Sequence, residues 1–234
     1  MASPCFVLLH SPLLGPMTWQ AVAGDLARRG RAAAAPAWPP LSGVGERFYG
    51  TLADGVADAA PSADRLILVA HSGAGALVPA LAERLGGRVA GVIFADAILP
   101  HPGRSWFDTA PAEMRERLRA GAQMGDLPPW DEWWPPGALE RLLPDADLRQ
   151  ALVAELEPLP LAYFEEKAPV APLPAPAAYL QLSGAYDDES QVAARSGWPL
   201  VRLPLHHLAM LTHPEAVATA LESLAERLAE PAHG

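Results

Sequence analysis

Short apolar runs without a polar break alternate, over the first hundred positions, with segments whose apolar residues recur at helical spacing. Cys5-Phe6-Val7-Leu8-Leu9, Leu66-Ile67-Leu68-Val69-Ala70 and Val89-Ala90-Gly91-Val92-Ile93-Phe94-Ala95 carry no charged or hydrogen-bonding side chain apart from the thiol of Cys5. Such runs predict strands covered on both faces. Helices are expected over residues 17–29, stopped by Gly30, over 45–59, and over 76–85, broken by Gly86-Gly87. A weaker, alanine-rich strand is expected at 31–37, closed by Trp38-Pro39-Pro40. This alternation predicts an α/β protein with about six mainly parallel strands flanked by helices.

The rhythm lapses over residues 99–175, where no core strand is evident and prolines are frequent. Short helical stretches are expected at 111–121, 137–143 and 146–156, and 169–176 reads as a stiff proline-rich strap. An excursion this long with large aromatics such as Trp106, Phe107, Trp130, Trp133 and Trp134 predicts an ordered helical cap inserted between two parts of a core, 1–98 and 176–234. The tryptophans have two readings, packing of cap on body or lining of an apolar substrate pocket. The α/β rhythm resumes with strands at 178–182 and 200–203 and a short helix at 189–196. Thr212-His213-Pro214-Glu215 reads as a capping box opening a last helix that runs to about Glu230.

The candidate chemistry sits where the second apolar run meets its helix, at Ala70-His71-Ser72-Gly73-Ala74-Gly75. A buried strand that turns tightly into a helix, with a serine at the tip and small residues two before and two after it, fits a strained nucleophile elbow. The plainer reading of Ser72 is a helix N-cap.

Composition narrows the function classes. Of 234 residues, 17 are Lys or Arg and 27 Asp or Glu, giving a net charge of −10 with no basic cluster. That disfavours nucleic acid and anionic membranes as partners. Cys5 is the one cysteine, so no intramolecular disulfide is available, and a small buried hydrophobe is its expected role. No basic, apolar leader precedes Phe6 and no segment approaches a membrane span, so a cytoplasmic protein, monomer or homodimer, acting on a small molecule is expected. The histidines show no H-E-x-x-H spacing and no phosphate- or dinucleotide-binding glycine loop is present, so neither metal nor cofactor is expected.

Four segments together, Phe6-Val7-Leu8-Leu9-His10 with Trp19 downstream, Ala70 to Gly75, Gly184-Ala185-Tyr186-Asp187, and His207-Leu208-Ala209-Met210, give the chain a resemblance to the α/β-hydrolase superfamily. More narrowly it resembles the compact branch that includes plant methyl-ester esterases and hydroxynitrile lyases. The resemblance implies Ser72 as nucleophile and a histidine after the last strand as its base, His207 in preference to His206. His71 would pack beneath the elbow and His213 belong to the helix cap. For the orienting acid it implies Asp187, with Asp188 one residue out of register, while Asp96 at the end of an earlier strand is the alternative used elsewhere in the superfamily.

The chain departs from that pattern at the loop after the first strand. The family reads His-Gly-x, and the N–H of x joins the N–H after the serine in binding the oxyanion. Here the loop is His10-Ser11-Pro12-Leu13, and proline has no N–H. Gly73 supplies one donor, and the second is left to Leu13, to the Ser11 hydroxyl, or to nothing. Ser11 also matches a hydroxyl residue that positions substrate in the lyases, but their lysine after the catalytic histidine is Leu208 here, and Lys167 is the chain's only lysine. The resemblance therefore implies a serine hydrolase cleaving a small-to-medium apolar ester, thioester or lactone through an acyl-enzyme. Its alternative is a non-hydrolytic lyase, cyclase or C–C-cleaving enzyme with His207 as general base. A third class is a ligand-binding protein without catalysis. Substrate-pocket residues are expected among His10, Trp106, Trp130, Trp133 and Trp134.

Overall fold

The computed structural model describes residues 3–173 and 176–230. In chain order it contains β1 (Cys5–Leu9), α1 (Met17–Arg28), β2 (Ala33–Ala34), α2 (Phe48–Ala59), β3 (Leu66–Ser72), a 3-10 turn (Gly73–Leu77) and α3 (Val78–Leu85). Then come β4 (Val89–Ala97), α4 (Trp106–Thr109), α5 (Ala112–Gly121), β5 (Asp126–Leu127), α6 (Ala138–Leu142), α7 (Ala146–Val153), β6 (Leu159–Pro160) and α8 (Leu161–Glu165). The chain closes with β7 (Ala177–Gln181), α9 (Asp187–Arg195), β8 (Leu200–Arg202), α10 (Ala209–Thr212) and α11 (Pro214–Ala229).

Six strands form one parallel sheet in the order β2-β1-β3-β4-β7-β8. The unbroken apolar runs are explained by its two covered faces. Val7, Leu9, Leu66, Leu68, Ala70, Val92 and Phe94 pack with α2 and α3, while Phe6, Leu8, Ile67, Val69, Ile93 and Leu180 pack with Trp19 and Leu26 of α1 and Leu221 and Leu224 of α11. Successive side chains in a strand point to opposite faces, so both alternate sets must be apolar.

Between β4 and β7 the chain leaves the sheet for short helices and the antiparallel pair β5–β6. Phe107, Trp130, Trp133 and Phe164 of this excursion are buried in the same cluster as the α2–α3 face, so its apolar side chains continue the core. Its expected end at residues 174–175 lies outside the described residues.

Three local expectations fail. The capping box does not form: His213 is the N-cap residue of α11, and the Thr212 hydroxyl instead meets His206 Nε2 and His213 Nδ1, each at 2.8 Å. The 31–37 strand shrinks to Ala33–Ala34, since this edge has only β1 to pair with. The helix expected from Glu189 opens at Asp187, putting Asp187, Asp188 and Glu189 in its first turn, where the helix dipole favours anions.

Candidate active site

Ser72 stands at the end of β3 with φ 55° and ψ −124°, a conformation costing about 1–3 kcal/mol for a side-chain-bearing residue. The turn behind it is tight. A Cβ on Gly75, three residues after the serine, would collide with the Ile98 carbonyl oxygen, so this position cannot be enlarged. The Ile98 N–H donates to the Ser72 carbonyl at 3.2 Å and ties the elbow to the end of β4.

His207 follows β8, and its Nδ1 lies 2.8 Å from Asp96 Oδ2. Asp96 is fully buried. It is the extra residue of a bulge, because His71 pairs with Ala95 while Ser72 pairs with Ala97, and its own φ is 47°. The neighbouring Ala97 is clamped by Tyr179, whose hydroxyl accepts from its N–H at 3.1 Å and donates to its carbonyl at 2.8 Å. Asp96 Oδ1 accepts from the N–H groups of Leu182 and Ser183 at 2.8 and 2.9 Å, and Oδ2 accepts from the Ser183 hydroxyl at 2.6 Å as well as from His207. Burial opposes the charge on Asp96, but these donors outweigh it and hold the carboxyl below its usual range.

Asp187 does not meet His207. Its carboxylate accepts from Gln181 Nε2 at the start of α9, and it is exposed, as is Asp188, which lies on the rim of the cavity. The reason is local: Gly184–Tyr186 coils into a 3-10 turn that carries Asp187 past the histidine, while Ser183, at the near end of that turn, reaches Asp96. The acid beside His207 is Asp96. A lone carboxylate closing a nine-residue strand whose other side chains are all apolar was the signal for it in the sequence.

His206 is turned away, with Nε2 on Thr212 and Nδ1 accepting the Leu208 N–H at 3.3 Å. His71 is fully buried beneath the elbow, edge-on to Trp19, and its Nε2 lies 3.0 Å from the His207 carbonyl. A carbonyl only accepts, so Nε2 carries the proton. Burial and the neighbouring His207 push the His71 pKa well below its usual value, so the ring is a neutral brace for the His207 backbone.

In the loop after β1, Pro12 offers no N–H. The Leu14 N–H is spent on the Ser11 carbonyl at 2.9 Å, and the Leu13 N–H reaches the Ser11 hydroxyl at 3.3 Å. The Ser11 hydroxyl and the Pro12 ring face Gly73, where an added Cβ would lie 3.2 Å and 3.6 Å from them.

A cavity of about 820 Å³ opens over these groups. Ser72, Gly73, Leu13 and His207 form its floor, and Trp106, Trp130, Trp133, Trp134, Met114 and Leu142 of the excursion its walls. Among the described residues its ionisable lining is His101, His207, Tyr186, Asp188 and Glu189, with no Lys or Arg. His101 is held at its Nε2 by the Tyr49 hydroxyl at 3.2 Å. His10 does not line this cavity. It is buried, with Nδ1 2.8 Å from the Ser11 carbonyl, and borders with Pro12 a separate cleft of about 340 Å³. Tyr186 is the residue that sequence reasoning passed over. Its ring stacks on His207 at 5.2 Å and 18°, and its hydroxyl lies 3.2 Å from Ser72 Oγ.

No family model matches the chain. A rice protein, Esterase PIR7B of Oryza sativa subsp. japonica, is 33% identical over 108 residues, which is 42% of this chain and 40% of that protein's length. Among solved structures, an extracellular α/β-hydrolase from a Paenibacillus species superposes with a TM-score of 0.74 at 21% identity, covering 95% of this chain and 99% of that one. A pyrethroid hydrolase from Sphingobium faniae JZ-2 superposes with a TM-score of 0.71 at 20% identity, covering 95% and 97%. With this sheet order, this elbow and these superpositions, the chain has the α/β-hydrolase fold.

Proposed function

We propose that the protein is a serine hydrolase that cleaves neutral, mainly apolar carboxylic esters, or the corresponding thioesters or lactones, through an acyl-enzyme on Ser72. The observation that carries this reading is the pair made by His207 and the buried Asp96 beside a strained serine on the floor of an apolar cavity. Asp96 fixes the His207 tautomer with the proton on Nδ1, which leaves Nε2 free to take the Ser72 proton as Oγ attacks the carbonyl carbon. The Gly73 N–H is one oxyanion donor, and the Leu13 N–H, held only by a 3.3 Å bond to Ser11, is the second. His207 then returns the proton to the leaving group, and water activated by the same histidine releases the acid. The aromatic excursion acts as a cap that excludes water and sets acyl size. A cavity with two carboxylates and no Lys or Arg disfavours anionic substrates. The match to a rice esterase and the superposition on a pyrethroid hydrolase support ester cleavage as the reaction class.

A second reading, general-base chemistry by His207 without an acyl-enzyme, is favoured by Pro12 and by a Ser72 hydroxyl paired with Tyr186. The deciding experiment is intact-mass analysis after a fluorophosphonate probe. A single adduct that disappears in Ser72→Ala is the expected result. No adduct on the folded protein refutes the hydrolase reading in favour of the second.

A further inference from the structure

Tyr186 has no part in the triad, yet it contacts two of its members. Its hydroxyl is the hydrogen-bond partner of Ser72 Oγ at 3.2 Å, and its ring covers the His207 imidazole. The Ser11 hydroxyl and the Pro12 ring lie against Gly73, whose N–H receives the carbonyl oxygen, whereas the Tyr186 ring lies against His207. In acyl transfer the leaving-group oxygen departs on the histidine side, since His207 Nε2 must protonate it. A hydroxyl within hydrogen-bonding distance of Oγ on that side is also within reach of a substituent on the carbon that Oγ attacks.

We infer that Tyr186 is a further catalytic residue of this site, donating a hydrogen bond to the ester oxygen of the leaving group as the acyl–oxygen bond breaks. The inference rests on the hydrolase reading above. When no substrate is bound, the same hydroxyl holds Ser72. When an ester enters, Ser72 turns to His207 Nε2 and the Tyr186 O–H is released to the incoming ester oxygen. Oγ bonds to the carbonyl carbon as its proton passes to His207. The carbon–oxygen bond to the alcohol then breaks, and the electron pair goes to the departing oxygen, which takes its proton from His207. Tyr186 keeps its own proton throughout and shares the developing negative charge. Burial raises its pKa, which keeps the phenol protonated and able to donate across the working pH range.

The test is the leaving-group dependence of kcat/KM in Tyr186→Phe, which keeps the ring on His207 and removes only the hydroxyl. Esters of one acyl group are compared, with alcohols from 4-nitrophenol to ethanol. A nitrophenolate leaves without help, whereas an alkoxide does not. The expected result is a loss of about 10- to 100-fold on the alkyl esters, the worth of one hydrogen bond to a charged oxygen, with little change on the nitrophenyl ester. Fluorophosphonate labelling of Ser72 should proceed in the variant as in the parent, which also shows that the variant is folded. Equal slowing on every ester overturns the inference and leaves Tyr186 as a positioning residue for Ser72. Unchanged kinetics on every ester overturn it as well. If the parent protein itself takes no fluorophosphonate, the hydrolase reading has failed and this inference falls with it. Labelling of the parent with uniform slowing in the variant defeats the inference alone.

Discussion

Asp96→Asn tests the assignment of the acid, because the new side chain is nearly isosteric and the hydrogen bonds it would keep are countable. Oδ1 accepts two backbone N–H groups, from Leu182 and Ser183, and the asparagine oxygen can keep both. The NH2 then stands where Oδ2 accepts from Ser183 Oγ and His207 Nδ1. Two donors now face each other at His207, and the imidazole relieves this by moving its proton to Nε2. In that tautomer it cannot take the Ser72 proton, so kcat/KM should fall by about 10⁴, equivalent to about 5.5 kcal/mol of transition-state stabilisation. Retention of both backbone bonds predicts a well-folded variant, destabilised by about 1–3 kcal/mol through loss of the charge-assisted bonds. The matched control is Asp187→Asn, where the new carbonyl still accepts from Gln181 on the surface, and activity should stay within about twofold, as for surface changes away from a site. Ester hydrolysis is measured beside urea unfolding for both. If Asp96→Asn keeps a tenth or more of parental activity, or Asp187→Asn loses activity comparably, the assignment of Asp96 as the orienting acid is wrong.

Two other predictions follow from the loop after β1. Pro12→Ala restores a backbone N–H beside Gly73, but with the Leu13 N–H already serving as second donor kcat on alkyl esters should stay within a few-fold of the parent; a rise approaching a hundredfold in steady-state kinetics, about the worth of a missing oxyanion donor, would refute the assignment of Leu13. His10, buried with its pKa lowered from 6.5 to about 4 by burial, is neutral when folded. Above pH 6.5 it is neutral in both states and does not tilt the balance. As pH falls from 6.5 to about 4 the unfolded chain gains the proton first, so stability should drop by about 3 kcal/mol over that window and level off below it. Urea midpoints of His10→Asn should fall less steeply over the same range than those of the parent, and parallel curves would refute the assignment of this slope to His10.

Much of the fold was legible because its strongest signal is physical redundancy. β1, β3 and β4 are covered on both faces, so their positions short of the C-terminal ends of β3 and β4 must be apolar, and a run of that kind has few other uses. The elbow was legible for a related reason, since small residues around Ser72 are demanded by close approach of the chain. The acid was not. Spacing in Gly184-x-x-Asp187 does not reveal that Gly184–Tyr186 takes a 3-10 turn, which carries Asp187 beyond the histidine. The bulge that aims Asp96 depends on the register between β3 and β4, a pairing between residues far apart in the chain. The capping box fails for a local reason: the Thr212 hydroxyl is engaged by the rings of His206 and His213.

Placing the acid on β4 rather than after β7 changes which parts of the site are rigid. Ser72 and Asp96 both have positive φ, on adjacent paired strands at the centre of the sheet. Such backbone persists only where its surroundings over-determine it. Here the Ile98 N–H on the Ser72 carbonyl and the Tyr179 hydroxyl on both polar groups of Ala97 do so, within two residues of the two strained positions. Ser72 and Asp96 are therefore both set by the sheet itself, while His207 arrives from a loop, with its carbonyl braced by His71 and its ring by Asp96. The segment after β7 is then released from carrying the acid. Ser183, two residues past β7, supports Asp96 through two hydrogen bonds, Tyr186 lies against His207 and Ser72, and the carboxylates that follow pass to the first turn of α9. A segment that would otherwise hold one carboxylate in place instead brings a phenol hydroxyl, able to donate a hydrogen bond, to 3.2 Å from Ser72 Oγ.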